Sequence, residues 1–266
     1  MNSPLRLLSL LVLGAAGTGF AQVNLDFETA GQLSANFRNL GTGTSSLTQS
    51  SNGAANDFVS VNNTNATQFS FGALGLLYDT TPADTTAGTQ SAFTTTSPLT
   101  VSVDFRAAVA STSIGVYFAD ANNTSNNVLA LFNVDTSGNN DQLRFFRDGV
   151  VTSAGTQVGS SSNVSTGVNV GSPFSNLSAT LSVVGTTPSI SFTVGTQTVT
   201  SAFLAGHIDW SSTVVILRLF DNDSAAGTSL DIDNFSVSSI PEPGTCALFF
   251  GGAALAMFAL RRRKRA

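Results

Sequence analysis

Apolar and polar positions alternate along several stretches of the middle of the chain. Val101, Val103 and Phe105 are each separated by one polar residue. Ile114, Val116 and Phe118 follow the same rhythm, as do Ala179, Leu181 and Val183, and then Ile190, Phe192 and Val194. A period of two places the apolar members of each set on one face of a half-buried β-strand. Val214 to Phe220 is more continuously apolar, which predicts a central strand. Turn signals separate the runs: Asp148-Gly149 between Leu143–Arg147 and Val150–Thr152, Gly185 to Pro188, and Gly195-Thr196. About a dozen strands are predicted, with no helix longer than a turn or two. Gly41 to Asn56 and Thr80 to Ser97 have few apolar anchors and predict long loops or irregular edge strands. The fold class that follows is all-β, a two-sheet antiparallel sandwich.

Composition supports the strands. Charged residues make up 10% of the chain, against about 25% in a typical soluble domain. Ser, Thr, Asn and Gly take their place, and these favour strands, turns and local side-chain bonds over long helices.

The two ends follow other rules. Arg6 precedes an apolar stretch from Leu7 to Ala16, and Gly19 and Ala21 supply the small residues of a signal-peptidase site. A signal peptide over 1–21 and cleavage between Ala21 and Gln22 are therefore expected. At the other end, Pro241-Glu242-Pro243 precedes an apolar run from Thr245 to Leu260. Arg261, Arg262, Arg263, Lys264 and Arg265 then close it. Sixteen residues span about 24 Å as a helix, slightly short of a hydrocarbon core. The five cations cannot cross cheaply and form a cytoplasmic stop. The predicted organisation is a signal peptide with its helix, a β-sandwich ectodomain over 22–239, and a tail over 240–266 with one transmembrane helix. A plain, uncleaved membrane anchor is the alternative for that tail.

The tripeptide, the apolar segment and the arginine cluster, in that order, resemble the PEP-CTERM sorting signal of exopolysaccharide-producing Gram-negative bacteria. That resemblance implies recognition by an exosortase and cleavage near Pro241-Glu242-Pro243. It further implies transfer from the inner membrane, where the ectodomain faces the periplasm, to the cell surface or extracellular matrix. The order of the middle elements resembles concanavalin A-like, laminin G-like jelly rolls, with Asn24–Glu28 and Leu230–Val237 pairing as first and last strands. Other β-sandwich binding modules share these patterns.

Setting the targeting segments aside changes the charge. The chain has 11 Lys plus Arg and 16 Asp plus Glu. The ectodomain keeps only Arg38, Arg106, Arg144, Arg147 and Arg218 against 15 acids, about −10, with no lysine. A polyanion such as nucleic acid is therefore excluded as a partner, whereas neutral glycans and divalent cations are compatible. Cys246, the single cysteine, lies in the tail, so no disulfide holds the ectodomain.

Catalytic chemistry finds few residues. A glycosidase needs two carboxylates across a scissile bond, and Glu28 is the only ectodomain glutamate. The Glu-x-Asp-x-x-Glu strand of laminarinase-type relatives is absent. His207 is the only histidine, without a nucleophile elbow, and is expected to be a turn or packing residue beside Trp210. No enzyme activity is expected, and a polysaccharide hydrolase is the second alternative. Asp26 and Glu28 near the start, with Asp231 and Asp233 near the end, form a candidate Ca²⁺ site if the terminal strands pair. The competing role for these acids is to cap turns and keep sheet edges solvated. No other cofactor is expected. Candidate glycan contacts are Tyr117, Trp210 and Tyr78, with Tyr117 turned away from the face that Val116 and Phe118 share. The expectation is a structural or adhesive matrix protein, with exopolysaccharide as a candidate partner. A calcium-dependent carbohydrate-binding module is the first alternative.

Overall fold

The alternating runs fold as strands because each has a continuous apolar side to bury. The computed structural model describes residues 22–40, 45–50, 57–63, 72–83, 92–93, 98–109, 112–134, 141–150, 154–204, 212–221 and 227–239. In chain order these contain β1 (Gln22–Leu25), α1 (Gln32–Asn36), β2 (Phe37–Asn39), β3 (Ser45–Gln49) and β4 (Val59–Asn63). Next come β5 (Gly72–Tyr78), β6 (Leu99–Ala107), β7 (Ser113–Asp120), β8 (Asn127–Asn133), β9 (Asp141–Arg147) and β10 (Thr156–Val164). The last are β11 (Ser175–Val184), β12 (Thr187–Val194), β13 (Gln197–Ala202), β14 (Thr213–Asp221) and β15 (Gly227–Ser239).

Two antiparallel sheets face each other. One runs β13-β12-β11-β6-β15-β4-β3 with β1 beside β15, and the other runs β10-β9-β8-β7-β14-β5-β2. Apolar side chains of both inner faces form one core. Phe105 of β6 meets Phe132 of β8 edge-on at 5.6 Å, and Phe145 of β9 meets Phe192 of β12 at 6.4 Å. In β6 every second residue, from Leu99 to Ala107, is buried and the residues between are half-buried. β14 is central in its sheet, between β7 and β5, as its continuous apolar run predicts.

The segment 41–56 contains an edge strand, one of the two forms expected for it: Ser45–Gln49 closes its sheet beside β4, in register from Ser45↔Asn63 to Gln49↔Val59. One expectation needs correction. Asp148-Gly149 does not close a two-residue hairpin. Thr156 pairs with Arg147 instead, so the connection runs from 148 to 155, with Asp148 at φ 56° and Gly155 at φ 91°. The turns at Gly185 (φ 64°) and Gly195 (φ 57°) do close tight hairpins, β11–β12 and β12–β13. Both glycines adopt left-handed backbone, which most residues with a Cβ avoid.

Among the described residues no helix is long and apolar enough to cross a membrane. The expected span at 245–260 and the signal segment at 1–21 lie outside the described residues.

Candidate functional site

The first and last strands meet, and their junction gathers carboxylates. β1 pairs with β15 from Gln22↔Ser238 to Leu25↔Phe235. β15 is long enough to lie against β4 over its first half and β1 over its second, with β6 along its other side. The strand bulges between Asp233 and Ser236, where Asn234 takes a left-handed φ of 49°. Asparagine tolerates that conformation better than most side chains, and here its side chain is also used. Asn234 Nδ2 donates to Asp104 Oδ2 at 3.0 Å, while its backbone N–H donates to Asp233 Oδ1 at 2.7 Å. Asn176 Nδ2 donates to the other Asp104 oxygen at 2.8 Å.

Asp233 carries the electrostatic signature of this junction. Burial raises its pKa first, the Asn234 backbone bond opposes that, and the charges of Glu28, Asp104 and Asp26 raise it further. Three of the four expected calcium ligands, Asp26, Glu28 and Asp233, thus lie within electrostatic reach of one another. The fourth, Asp231, is removed from the set. It receives Arg106 Nη2 at 2.6 Å and Nε at 3.0 Å, plus the Ser60 hydroxyl at 2.7 Å. The Arg106 guanidinium in turn lies over the rings of Phe58 (5.1 Å) and Phe174 (4.9 Å).

The remaining acids make local bonds. Asp26 Oδ1 accepts from the Glu28 backbone N–H at 3.2 Å and from Gln32 Nε2 at 3.1 Å. Glu28 Oε2 accepts from the Asp57 N–H at 3.4 Å. Among the described residues no three His, Cys, Asp or Glu side chains are placed to enclose a metal ion. Register sets Asp231 against Ser60 of β4 and Arg106 of β6, apart from the other three acids. Asp104, which does join the junction, was missed by sequence reasoning. The alternation of Val103 and Phe105 gives its face but not its neighbour.

The aromatic candidates are placed differently from expectation. Tyr117 does point away from the shared core, but that side of its sheet is covered, and the residue is only 2% exposed. Leu77, Ile216, Tyr117, Leu129 and Phe146 stand side by side in one row across β5, β14, β7, β8 and β9. Leu40 and Ala154 pack onto this second cluster. The Tyr117 hydroxyl donates to the Val150 carbonyl at 3.0 Å, inside the 148–155 connection. Gly149 is required there, since a Cβ would meet the Ala154 carbonyl and, at 2.8 Å, the Tyr117 hydroxyl. Burial pushes the Tyr117 pKa up to about 12, with the charge and hydrogen bond of Arg218 pulling it down. Arg218 is itself 5% exposed, and burial lowers its pKa. Tyr78 belongs to the shared core, packed against Phe37, Phe93 and Phe235. Neither tyrosine offers a ring face to a sugar. Trp210 and His207 lie outside the described residues, as do Ala21, Pro241, Glu242, Pro243 and the cluster Arg261, Arg262, Arg263, Lys264 and Arg265.

β15 ends at Ser239, and the next residues are those the sequence marks as a sorting tail. Residues 239–264 carry a PEP-CTERM protein-sorting motif. The PEP-CTERM motif thus begins on the final residue of β15, with no linker between sandwich and signal. It implies export, a cell-surface destination and exosortase processing in general. No curated protein matches the chain in sequence. Among solved structures the chain is similar to the carbohydrate recognition domain of Emp47p, at 11% identity and TM-score 0.49, over 81% of this chain and 94% of that one. It is also similar to lectin II from Ulex europaeus, at 10% identity and TM-score 0.47, over 83% and 98%. An endo-1,3-beta-glucanase from Streptomyces sioyaensis matches at 14% identity and TM-score 0.48, over 84% and 98%.

Proposed function

We propose that this chain is a non-enzymatic structural or adhesive protein of the cell surface or exopolysaccharide matrix. An exosortase takes it there by cutting near Pro241-Glu242-Pro243, after signal peptidase has cut between Ala21 and Gln22. The observation that carries this reading is the direct junction of the PEP-CTERM motif with the last strand of the sandwich. Before processing, the apolar run 245–260 anchors the chain in the inner membrane, and the Arg261 to Arg265 cluster holds its end in the cytoplasm.

The carboxylates support a non-catalytic role. Asp231 is neutralised by Arg106, Asp104 accepts from two asparagine side chains, and Glu28 meets a backbone N–H. General acid–base work needs a carboxyl group free to exchange its proton with substrate. Intact-mass measurement with fractionation of the native host tests the proposal. The expected species begins at Gln22, ends near Pro243 and leaves the inner membrane. A full-length C-terminus retained in the inner membrane would identify a plain anchor and remove the matrix role.

A further inference from the structure

The outer face of the larger sheet carries a pattern that the sorting signal does not explain. Thr198, Thr193, Ser178, Ser102 and Ser236 stand in one row across β13, β12, β11, β6 and β15. Two residues along, Thr200, Ser191, Thr180, Thr100 and Ser238 form the next row. All ten positions carry a hydroxyl, and neither row contains a charge. Strand spacing sets the rows' repeat at about 4.8 Å, their separation at about 7 Å and their length at about 19 Å.

The hydroxyls are also ordered sideways. Thr193 and Thr198 share a bond of 2.8 Å, Ser191 and Thr200 one of 2.9 Å, and Thr100 and Thr180 one of 2.9 Å. Asn176 Nδ2 donates to Ser102 Oγ at 2.8 Å. A hydroxyl has one proton and two lone pairs. Each bonded pair therefore keeps one proton and several lone pairs for a ligand, with its rotamers already fixed. Exposed sheet faces and edges ordinarily carry charges, lysine above all, that keep other chains away. Here the edge strand β13 and its four neighbours present none in these rows.

We infer that this face is a docking surface for a neutral polysaccharide lying flat across the strands, an inference that rests on the matrix role proposed above. Charge selects the class. The ectodomain carries about −10, which repels acidic polymers, while the two hydroxyl rows are uncharged, and Asp104 and Arg106 lie farther along β6 on the same face. Stripping water from hydroxyls costs far less than stripping it from ions, and sugar hydroxyls both donate and accept in return. Position agrees with chemistry, because Ser236 and Ser238 lie on β15 just before the sorting motif begins at residue 239. The face therefore sits where the tail delivers the molecule, beside envelope glycans.

Affinity electrophoresis of the full chain in neutral detergent tests this, with dextran, galactomannan or soluble β-glucan cast in the gel and alginate as the acidic comparison. Wild type is expected to be retarded by at least one neutral polymer and not by alginate. Combining Thr100→Val, Thr180→Val, Ser191→Ala and Thr200→Val removes both members of two bonded pairs and should weaken retardation about tenfold or more. Thr180→Glu, a single change at a half-buried position of the outer face, gives a second variant if the combined one fails to fold, and it should also abolish retardation. Retardation unchanged in a folded variant would overturn the inference, as would no retardation in any neutral gel or retardation by alginate alone. Self-association abolished by the same variants, without glycan retardation, would make a second copy of this chain the occupant. Failure here leaves the localisation experiment untouched, and mislocalisation leaves the gel result standing, so the two claims fail separately.

Discussion

The two sheets share one core but have opposite outer faces. On the larger sheet the residues between buried positions are Thr, Ser, Asp and Arg in β6, and Ser and Thr in β11 and β12. On the smaller sheet β7 is buried at every position and β8 at all but the last. A strand covered on one side can alternate, whereas a strand covered on both sides must be apolar on both. The same backbone geometry thus gives one solvated face rich in hydroxyls and one face roofed by Leu40, Ala154 and the Val150 carbonyl.

Truncation should separate the faces most sharply. Leu129→Ala empties a fully buried site on the roofed face and should cost about 3 kcal/mol. Thr180→Val on the hydroxyl face should cost under about 1 kcal/mol. Urea titrations of both variants check the contrast, and equal losses would erase it. Next in size is Arg106→Ala, which leaves the Asp231 carboxylate, 3% exposed, without its cation. A loss of about 2 kcal/mol is expected, read as a lowered urea midpoint at neutral pH.

Alkaline titration sharpens the comparison without mutation. The chain has two tyrosines, and burial raises the pKa of both, Tyr117 to about 12 and Tyr78 with help from the Asp79 charge. The native state therefore keeps protons that unfolded tyrosines release near pH 10, so stability falls as pH rises from about 10 through about 12. Absorbance at 295 nm should show no normal phenol titrating while the protein is folded. A tyrosine ionising near pH 10 in the native state would open the roof.

The smallest effect belongs to Asp233. Its folded pKa is raised, so the native state holds a proton that the unfolded chain releases near pH 4. Stability accordingly falls as pH rises from there through the folded value, then levels. Asp233→Asn should flatten that segment of the stability–pH curve. An unchanged slope would show that burial and the neighbouring acids do not raise its pKa.

Much of this was legible in the chain and some could not be. Period-two runs gave the inner faces of β6, β7, β11 and β12, and the apolar run at 214–220 gave a central strand. Alternation also put Tyr117 on the correct side of β7. What lies over that side depends on a connection more than thirty residues later, and no local pattern carries that. The apolar run Val128 to Phe132 was the available clue, since a strand apolar on both faces implies cover on both. Asp231 and Asp233 looked equivalent because they alternate, but register puts Arg106 opposite Asp231 and Asp104 opposite Asp233. Sequence reveals residue type and side. Partner identity waits for register.

Where the tail joins the sandwich has a mechanical consequence. Any tension applied through residue 240 enters the molecule at Ser239, the last residue of a strand flanked by β6 on one side and by β1 and β4 on the other. Pulling that strand loose would require two ladders to give way together, whereas a tether on edge strand β13 would peel one bond at a time. The attachment point is thus also the part of the sheet best built to bear load.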